Sequence, residues 1–250
     1  MKKYTQKYTV FFIFIFVVGA FGQKEVKPIE KNKPAATAVV KNLAPLDLAK
    51  AALAAHGGDK FKNMKSLVVR GTADVSGSPS TTFPATFAMI YSGDKYRLEI
   101  SNPFQPFKQI YDGQETYSSI NVFNLPPINR LGLPLLPRIE EKDFTVSALP
   151  ETKKKQTGFR ITAPEGFYTD FYVDDKTGQV KGYEASYEIN GRTITTAVEI
   201  DKVREVEGIK IPERYAQRFE TGSLTIYADF KAKEITVNST VADDIFVMGK

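Results

Sequence analysis

Few residues of this chain have the chemistry that catalysis or metal binding requires. The sequence contains one histidine, His56, and no cysteine. One imidazole is too few for a histidine-rich zinc site, and no thiol nucleophile exists. His56 either donates to a ligand or, as we expect, interacts with the last carbonyl groups of the helix that it ends. Neither reading gives it a catalytic role.

The charged runs also favour structural roles. Asp174-Asp175 lacks the ligand spacing of a calcium loop and predicts a turn. Asp243-Asp244 predicts the cap of a terminal turn rather than an acid/base pair. Lys153-Lys154-Lys155 either contacts anionic head groups or forms a solvated turn. We therefore expect no catalytic residue, no metal and no cofactor, and we predict that the protein is not an enzyme.

The longest patterned stretch runs from Gly158 to Val237 and alternates apolar and polar residues with the period of two that is typical of β-strands. Within it, Asn190-Gly191 predicts a type I′ turn, because both positions of that turn need positive φ. This turn fixes the pairing of the flanking strands. The expected pairs are Ile189 with Arg192, Tyr187 with Ile194, Ala185 with Thr196, and Tyr183 with Val198.

Further strands follow the same rule. Ser66–Val75 predicts the first strand, and a change of alternation near Lys233-Glu234 predicts a β-bulge in the last one. Pro45–His56 predicts a short helix and Asp59–Lys65 a further helical turn. Ten to twelve antiparallel strands in one domain must curl strongly or close. The fold class is therefore mainly β (α+β), built on one strongly curved antiparallel sheet.

The first 44 residues differ from the rest in composition. Basic residues followed by an apolar run and Ala20-Phe21-Gly22 predict a signal peptide over residues 1–22, cleaved after Gly22. Residues 23–44 are rich in Lys, Pro and Ala and predict a disordered tether, so the folded domain is expected over residues 45–250. Of 34 basic and 29 acidic residues, the first 44 positions hold eight Lys and two Glu, which leaves 26 basic and 27 acidic residues in the domain. This balance does not support a nucleic-acid partner.

The segment Asn121–Glu141 is apolar but interrupted by four prolines. These prolines exclude a central strand or a long helix, although the apolar side chains must still lie against other apolar groups. Two interpretations remain open. The segment is either a lid over the concave face of the sheet or a loop that plugs the core.

The order of several short motifs resembles the outer-membrane lipoprotein-sorting (LolA-like) superfamily over roughly Leu46 to Phe246. The motifs are Ala54-Ala55-His56-Gly57-Gly58, Tyr111-Asp112-Gly113, Phe171-Tyr172-Val173-Asp174 with Thr177-Gly178, Val206-Glu207-Gly208-Ile209-Lys210-Ile211-Pro212, and Ile235-Thr236-Val237-Asn238 with Asp243-Asp244-Ile245-Phe246. The resemblance implies a half-barrel with an N-terminal helix and short helical or irregular lid segments in its mouth. It also implies carriage of lipid or lipoprotein acyl chains across the periplasm in an apolar cavity. The long tether and the Pro-rich middle depart from the best-known carriers.

Strand parity selects the side chains that would face such a cavity. The expected lining residues are Phe87, Met89, Tyr91, Leu98, Ile100, Tyr187 and Ile194, and the expected lid residues are Leu131, Leu133 and Leu136. Equally, the Phe and Tyr stripes can fill a core rather than line a cavity.

These observations lead to three hypotheses for function. The first is a periplasmic, monomeric, non-enzymatic carrier that exchanges lipid or acylated protein cargo with membrane donor and acceptor proteins. The second is an envelope sensor or regulatory binding domain that uses the same cavity. The third is a structural envelope protein with a filled core. A cavity separates the first two from the third, and transfer of cargo to a membrane separates the first from the second.

The leader generates a testable prediction. Export should remove residues 1–22 and leave Gln23 as the first residue, because the apolar run is shorter than the ~20 residues that span a membrane. The intact mass of the exported protein measures this directly. A chain that retains Met1 in the membrane fraction would contradict it.

Overall fold

The computed structural model describes residues 40–77, 81–103, 106–119, 128–153, 155–189, 191–222 and 224–247. The helices are α1 (Pro45–Ala55) and α2 (Asp59–Lys62), with short 3-10 helices at Val40–Asn42, Ile128–Arg130, Leu133–Arg138, Glu151–Lys153 and Asp243–Phe246. The strands are β1 (Ser66–Ser76), β2 (Thr82–Ser92), β3 (Lys95–Ser101), β4 (Phe107–Tyr111), β5 (Thr116–Ser118), β6 (Thr145–Ala148), β7 (Gly158–Thr162), β8 (Tyr168–Val173), β9 (Val180–Ile189), β10 (Arg192–Val206), β11 (Ile209–Thr221) and β12 (Leu224–Val237).

All of these strands belong to one antiparallel sheet in the order β5-β4-β3-β2-β1-β12-β11-β10-β9-β8-β7-β6. The sheet is not closed, because β5 and β6 are its two edges. Strands that are neighbours in the sheet are joined by short connections. The exception is the pair β1 and β12, which are the first and last strands in the sequence. The predicted fold class, a mainly β half-barrel with few helices, is confirmed.

The predicted strand register is also confirmed. Tyr187 lies opposite Ile194, and Tyr183 lies opposite Val198, as the two-residue turn requires. Between β1 and β12, Arg70 pairs with Glu234 but Gly71 pairs with Ala232. Lys233 is therefore the extra residue of a β-bulge, at the position where the alternation changes in the sequence.

The main core lies between the concave face of the sheet and the helices that cover it. α1 buries Leu48, Ala49, Ala52 and Leu53 and packs on β6 and β7. The apolar spacing of these four residues places them on one side of the helix. On the convex face, a smaller cluster covers β1 to β4 with the C-terminal segment. It consists of Val68, Ile90, Ile110 and Phe246.

Contacts with the domain begin before Pro45, inside the stretch predicted as a tether. Val40 is buried in the main core, and its backbone N–H donates to the carbonyl oxygen of Asp175 over 3.1 Å. Burial of an apolar side chain is enough to hold this stretch, although Lys and Ala around it suggested a solvated segment. The predicted signal peptide and residues 23–39 of the predicted tether lie outside the described residues.

The backbone N–H of His56 donates to carbonyl groups at the end of α1, as expected, but its side chain has a different role. Its ring is fully buried, the Nδ1–H donates to the carbonyl oxygen of Lys210 over 2.9 Å, and Nε2 accepts the backbone N–H of Val180 over 3.1 Å. One side chain thus joins the end of α1 to β9 and β11. Because Nε2 must accept, the ring is neutral, and burial lowers the pKa of His56 below its ordinary value.

This arrangement predicts a pH dependence of stability. The unfolded state takes up a proton near pH 6.5, whereas folded His56 does so only at lower pH, so the free energy of unfolding should fall as pH drops below about 6.5. His56→Gln retains a donor and an acceptor but does not titrate. It should be less stable at pH 7.5 by about 1 kcal/mol and should show a shallower decline between pH 7.5 and 5.5. Urea denaturation across this range measures both, and parallel curves for the two proteins would refute the assignment.

Candidate ligand-binding cavity

A cavity of about 900 Å³ lies on the concave side of the sheet. Its wall is formed by β1, β2 and β3 on one side, by β9 to β12 on the other, and by the segment that joins β5 to β6. The volume is at the upper end of the range of about 300–1,000 Å³ for small-molecule sites. Most of the wall is apolar, and its side chains include Val69, Val75, Met89, Leu98, Ile100, Val198, Ile211, Ile226 and Ala228.

An aromatic row supports the wall between β2 and β11. Tyr215 stacks on Phe230 with the ring centroids 4.8 Å apart, and Phe87 meets Phe230 edge-on at 5.0 Å. Phe87 fits because its neighbour on β1 is Gly71, where a Cβ atom would lie 2.8 Å from the Phe87 ring. Such pairs stabilise the core beyond the area that they bury, so this part of the sheet is rigidly packed.

The tyrosine hydroxyl groups on the cavity wall are uncharged. Tyr91, Tyr183 and Tyr215 are partly buried, and desolvation raises the pKa of each phenol. Their hydroxyl groups therefore stay protonated at neutral pH and can donate hydrogen bonds. Beside them, Gln217 Nε2 donates to Thr196 Oγ1 over 2.9 Å. The interior thus offers an apolar surface with a few neutral polar groups.

The described part of the segment between β5 and β6, residues 128–144, covers the cavity and also fills the core. Leu131 and Leu133 lie on the cavity wall, whereas Leu135 and Leu136 are fully buried in the main core. Between them, Gly132 has φ of 65° and approaches Tyr183 so closely that a Cβ atom would lie 2.6 Å from its ring. Both open interpretations of this segment, lid and plug, therefore describe part of it.

Charged residues form a rim on one part of the cavity lining, and four of them form two ion pairs, whereas Lys65 and Lys210 also line the cavity. Lys62 Nζ lies 2.6 Å from Glu140 Oε2, and Arg138 donates to the carboxylate of Glu141 over 2.8 Å. The hydrogen bond from Lys62 lowers the pKa of Glu140. Lys62, Glu140 and Glu141 are exposed, so these charges form a rim in contact with solvent.

The structure brings six of the ten predicted cavity and lid residues to the cavity wall. They are Met89, Tyr91, Leu98, Ile100, Leu131 and Leu133. Phe87 and Leu136 are packed in the core instead. Tyr187 and Ile194 lie beyond the cavity, in a small cluster with Leu131 and Ala185. For these four residues, strand parity or position in the covering segment predicted the correct face of the sheet. Whether such a side chain lines the cavity depends on how it packs against its neighbours.

Several wall residues were missed by the sequence reasoning. Tyr183 and Val198 lie on the same faces as Tyr187 and Ile194, but four residues further from the turn, which is about 13 Å along a strand. Strand parity indicates on which face of the sheet a side chain lies, but not how far along the strand the cavity extends. Tyr215 and Gln217 on β11 alternate in the same way and could have been found by extending the pattern. Asn129 carries no signal in the sequence.

The other charged runs take structural roles. Asp174 Oδ1 accepts the backbone N–H groups of Lys176 and Thr177, which confirms the predicted turn. Lys153 is not a solvated group, because it pairs with the fully buried carboxylate of Asp170 at 2.9 Å. Asp243 does not cap a helix but pairs with Lys95 at 2.9 Å.

No helix in the described part of the chain is both long and apolar enough to cross a membrane. Across the same residues, no group of three or more His, Cys, Asp or Glu side chains is arranged to hold a metal ion.

Comparison with known proteins gives similarity in structure but not in sequence. No family model matches the chain, and no curated protein matches it significantly. A crystal structure of a LolA superfamily protein from Nitrosomonas europaea is similar, with a TM-score of 0.51 and 11% identity over 82% of this chain and 98% of that one. A DUF1329 family protein from Desulfovibrio piger gives 0.46 and 10% over 82% and 98%, and a lipoprotein-sorting protein domain from Vibrio parahaemolyticus gives 0.47 and 9% over 81% and 95%.

The resemblance predicted from the sequence motifs is thereby confirmed at the level of the fold. This chain shares an open, curved antiparallel sheet with that LolA superfamily protein from Nitrosomonas europaea.

The cavity itself can be tested by filling it. Leu98→Trp adds volume where the wall faces open space, so it should reduce binding of an apolar fluorescent probe while changing the free energy of unfolding by less than about 1 kcal/mol. Phe87→Trp is the matched control on the neighbouring strand. It overfills the packed core and should destabilise by about 1–3 kcal/mol. Equal destabilisation by both variants would show that no usable space exists beside Leu98.

Proposed function

We propose that this protein is a non-enzymatic carrier that binds the acyl chains of lipids or lipoproteins in its cavity. The observation that carries the proposal is the unfilled, mainly apolar space of about 900 Å³ under the segment that joins the two sheet edges. A filled structural core, the alternative from the sequence, would leave no such space. The LolA-like fold is consistent with the proposal but does not by itself specify a ligand.

The composition of the wall favours an uncharged chain as the buried part of the ligand. Burial of apolar surface contributes roughly 25 cal/mol per Å², and an acyl chain presents almost only such surface. A charged group would lose its hydration in the interior without a partner of opposite charge. The charged rim at Lys62, Arg138, Glu140 and Glu141 instead suits a polar head group that remains near solvent.

The covering segment would control access. Leu133 contacts the cavity from a short 3-10 helix, whereas Leu136, three residues later, anchors the same helix in the core. A ligand could enter if the side chain of Leu133 moved while Gly132 and Leu136 stayed fixed. We place the protein in the periplasm after removal of its leader, as a monomer that exchanges cargo with membrane donor and acceptor proteins.

The two leucines provide a direct test of binding. Leu133→Asp should weaken binding of a fluorescent fatty acid at least tenfold, because it places a carboxylate on the apolar wall, and should leave the protein folded because Leu133 is only half-buried. Leu136→Asp should instead destabilise the fold by several kcal/mol, since it buries a charge in the core. Fluorescence titration and thermal unfolding separate the two effects.

Two outcomes would decide the wider proposal. Native mass spectrometry of protein purified from its own envelope should detect lipid or an acylated fragment bound in wild type and depleted in Leu133→Asp. The loaded protein should then transfer a fluorescent lipid to vesicles. Retention of lipid without transfer would favour the sensor hypothesis, and absence of any bound or binding lipid would refute the carrier.

A further inference from the structure

Two tyrosine hydroxyl groups on the cavity wall are available to a ligand. Tyr183 on β9 and Tyr215 on β11 both line the cavity, and neither hydroxyl group has a hydrogen-bond partner among the residues that the structure describes. Neither phenol oxygen is among the buried side-chain atoms that lack a partner in that part of the chain, so each keeps accessible surface. The third tyrosine of the wall, Tyr91, already donates to Met89 Sδ over 3.3 Å. Tyrosine hydroxyl groups inside a protein usually have a partner, so the first two require one.

The register of the sheet places these two rings close together on the concave face. Val198 on β10 pairs with Tyr183 on one side and with Gln217 on the other. Tyr215 is two residues from Gln217 along β11, so one strand separates the two tyrosines, about 10 Å across the sheet. Side chains stand roughly perpendicular to a sheet and converge on a concave face. The hydroxyl ends of both rings therefore point into the cavity that the rings line.

Packing holds both rings in place. Tyr183 lies against Phe171, with the ring centroids 6.0 Å apart, and the backbone of Gly132 approaches it closely. Tyr215 stacks on Phe230 at 4.8 Å. Only the O–H bonds remain free to turn toward an acceptor. Donors held in position in this way lose little conformational freedom when a ligand binds.

The surroundings of this tyrosine pair favour an uncharged acceptor. Desolvation raises the pKa of Tyr183, and desolvation together with the nearby Tyr183 raises the pKa of Tyr215. A cation would lower these values, and none of the described residues does so. A carboxylate beside the two phenols would lose its hydration without a partner of opposite charge. A carbonyl oxygen accepts the same hydrogen bonds and carries no charge.

The lysines without an ion-pair partner on the cavity lining lie away from the tyrosine pair. Lys210 is five residues from Tyr215 on the same strand, about 16 Å along β11. Lys65 is eight residues from Ala73, which lies in the same row of the sheet as Tyr215, about 26 Å along β1. Their ammonium groups suit a part of the ligand nearer the rim.

We propose that the hydroxyl groups of Tyr183 and Tyr215 form a polar site within the cavity that binds the carbonyl oxygen of an ester or amide joined to the acyl chain. This inference rests on the proposed function and names the linkage that the cavity prefers. A carbonyl oxygen has two lone pairs, so it can accept from both hydroxyl groups. The preferred ligand is thus an esterified or amide-linked acyl chain and not a free fatty acid. Both tyrosines are specificity-determining residues and not catalytic ones.

Three ligands with similar alkyl chains test the tyrosine pair. Methyl laurate has a neutral carbonyl group, ionised laurate has a carboxylate, and 1-dodecene has neither. Each displaces the bound fluorophore N-phenyl-1-naphthylamine from the full mature chain. Tyr183→Phe and Tyr215→Phe each remove one hydroxyl group and keep the ring. Tyr187→Phe is the matched control, because Tyr187 is on the same face of β9 but does not line the cavity.

Each cavity variant should bind methyl laurate about two- to tenfold more weakly than wild type, which is the range for one net hydrogen bond. The affinity for 1-dodecene should not change, and Tyr187→Phe should leave all three affinities unchanged. In infrared spectra, the ester carbonyl band of methyl laurate should move to lower frequency on binding to wild type. Part of this shift should be lost in each cavity variant. The band reports the hydrogen bond itself, which a purely structural role of the rings would not alter.

An unshifted carbonyl band in wild type would overturn the inference and leave the carrier proposal intact, since water alone would then satisfy the hydroxyl groups. Equal weakening of 1-dodecene would assign the effect to packing, and equal weakening of laurate would remove the preference for an uncharged group; either result would also overturn the inference. Failure of the fluorophore and of all three ligands to bind would overturn the carrier proposal itself. Should one variant not fold, the carbonyl band in wild type and in the other variant still decides the inference.

Discussion

The pairing of β1 with β12 determines the rest of the architecture. It joins the two ends of the domain at the centre of the sheet, so the chain must leave along one half and return along the other. The two edges, β5 and β6, are then consecutive in sequence, and the residues between them have to cross from one edge to the other. The part of this crossing that the structure describes, residues 128–144, lies against the core and the cavity wall. The side chain of His56 reinforces this arrangement by joining α1 to β9 and β11.

The crossing segment therefore has two tasks, and its residues divide them. Pro134 and Pro137 exclude a strand or a long α-helix, so the described part of the segment forms short 3-10 helices. Leu133 lies on the cavity wall, and Leu135 and Leu136 lie in the core. Gly132 allows the backbone to rest directly on Tyr183, since any larger residue would meet that ring. The segment is thus anchored at Gly132 and Leu136 on either side of Leu133, which faces the cavity.

Local patterns predicted most of the sheet, and non-local packing accounts for what they missed. Alternation and turn chemistry predicted the strands, the hairpin register and the bulge at Lys233, because each depends on neighbours in sequence or on one close pairing. The partners of His56 lie 124 and 154 residues away and leave no local signal. Asn129 likewise has a distant partner, the carbonyl oxygen of Asp94. Local alternation also does not show that the cavity lies at Tyr183 and not at Tyr187 along β9.

The cavity is open to solvent at its charged rim, so it is not a sealed void and water can enter it. Water is nevertheless a poor occupant of a wall built from Val69, Leu98, Val198 and Ile226, because these side chains offer it no hydrogen bonds. An apolar ligand would displace that water and bury apolar surface at roughly 25 cal/mol per Å². Because such a ligand binds the folded chain and not the unfolded one, bound ligand should raise the thermal midpoint.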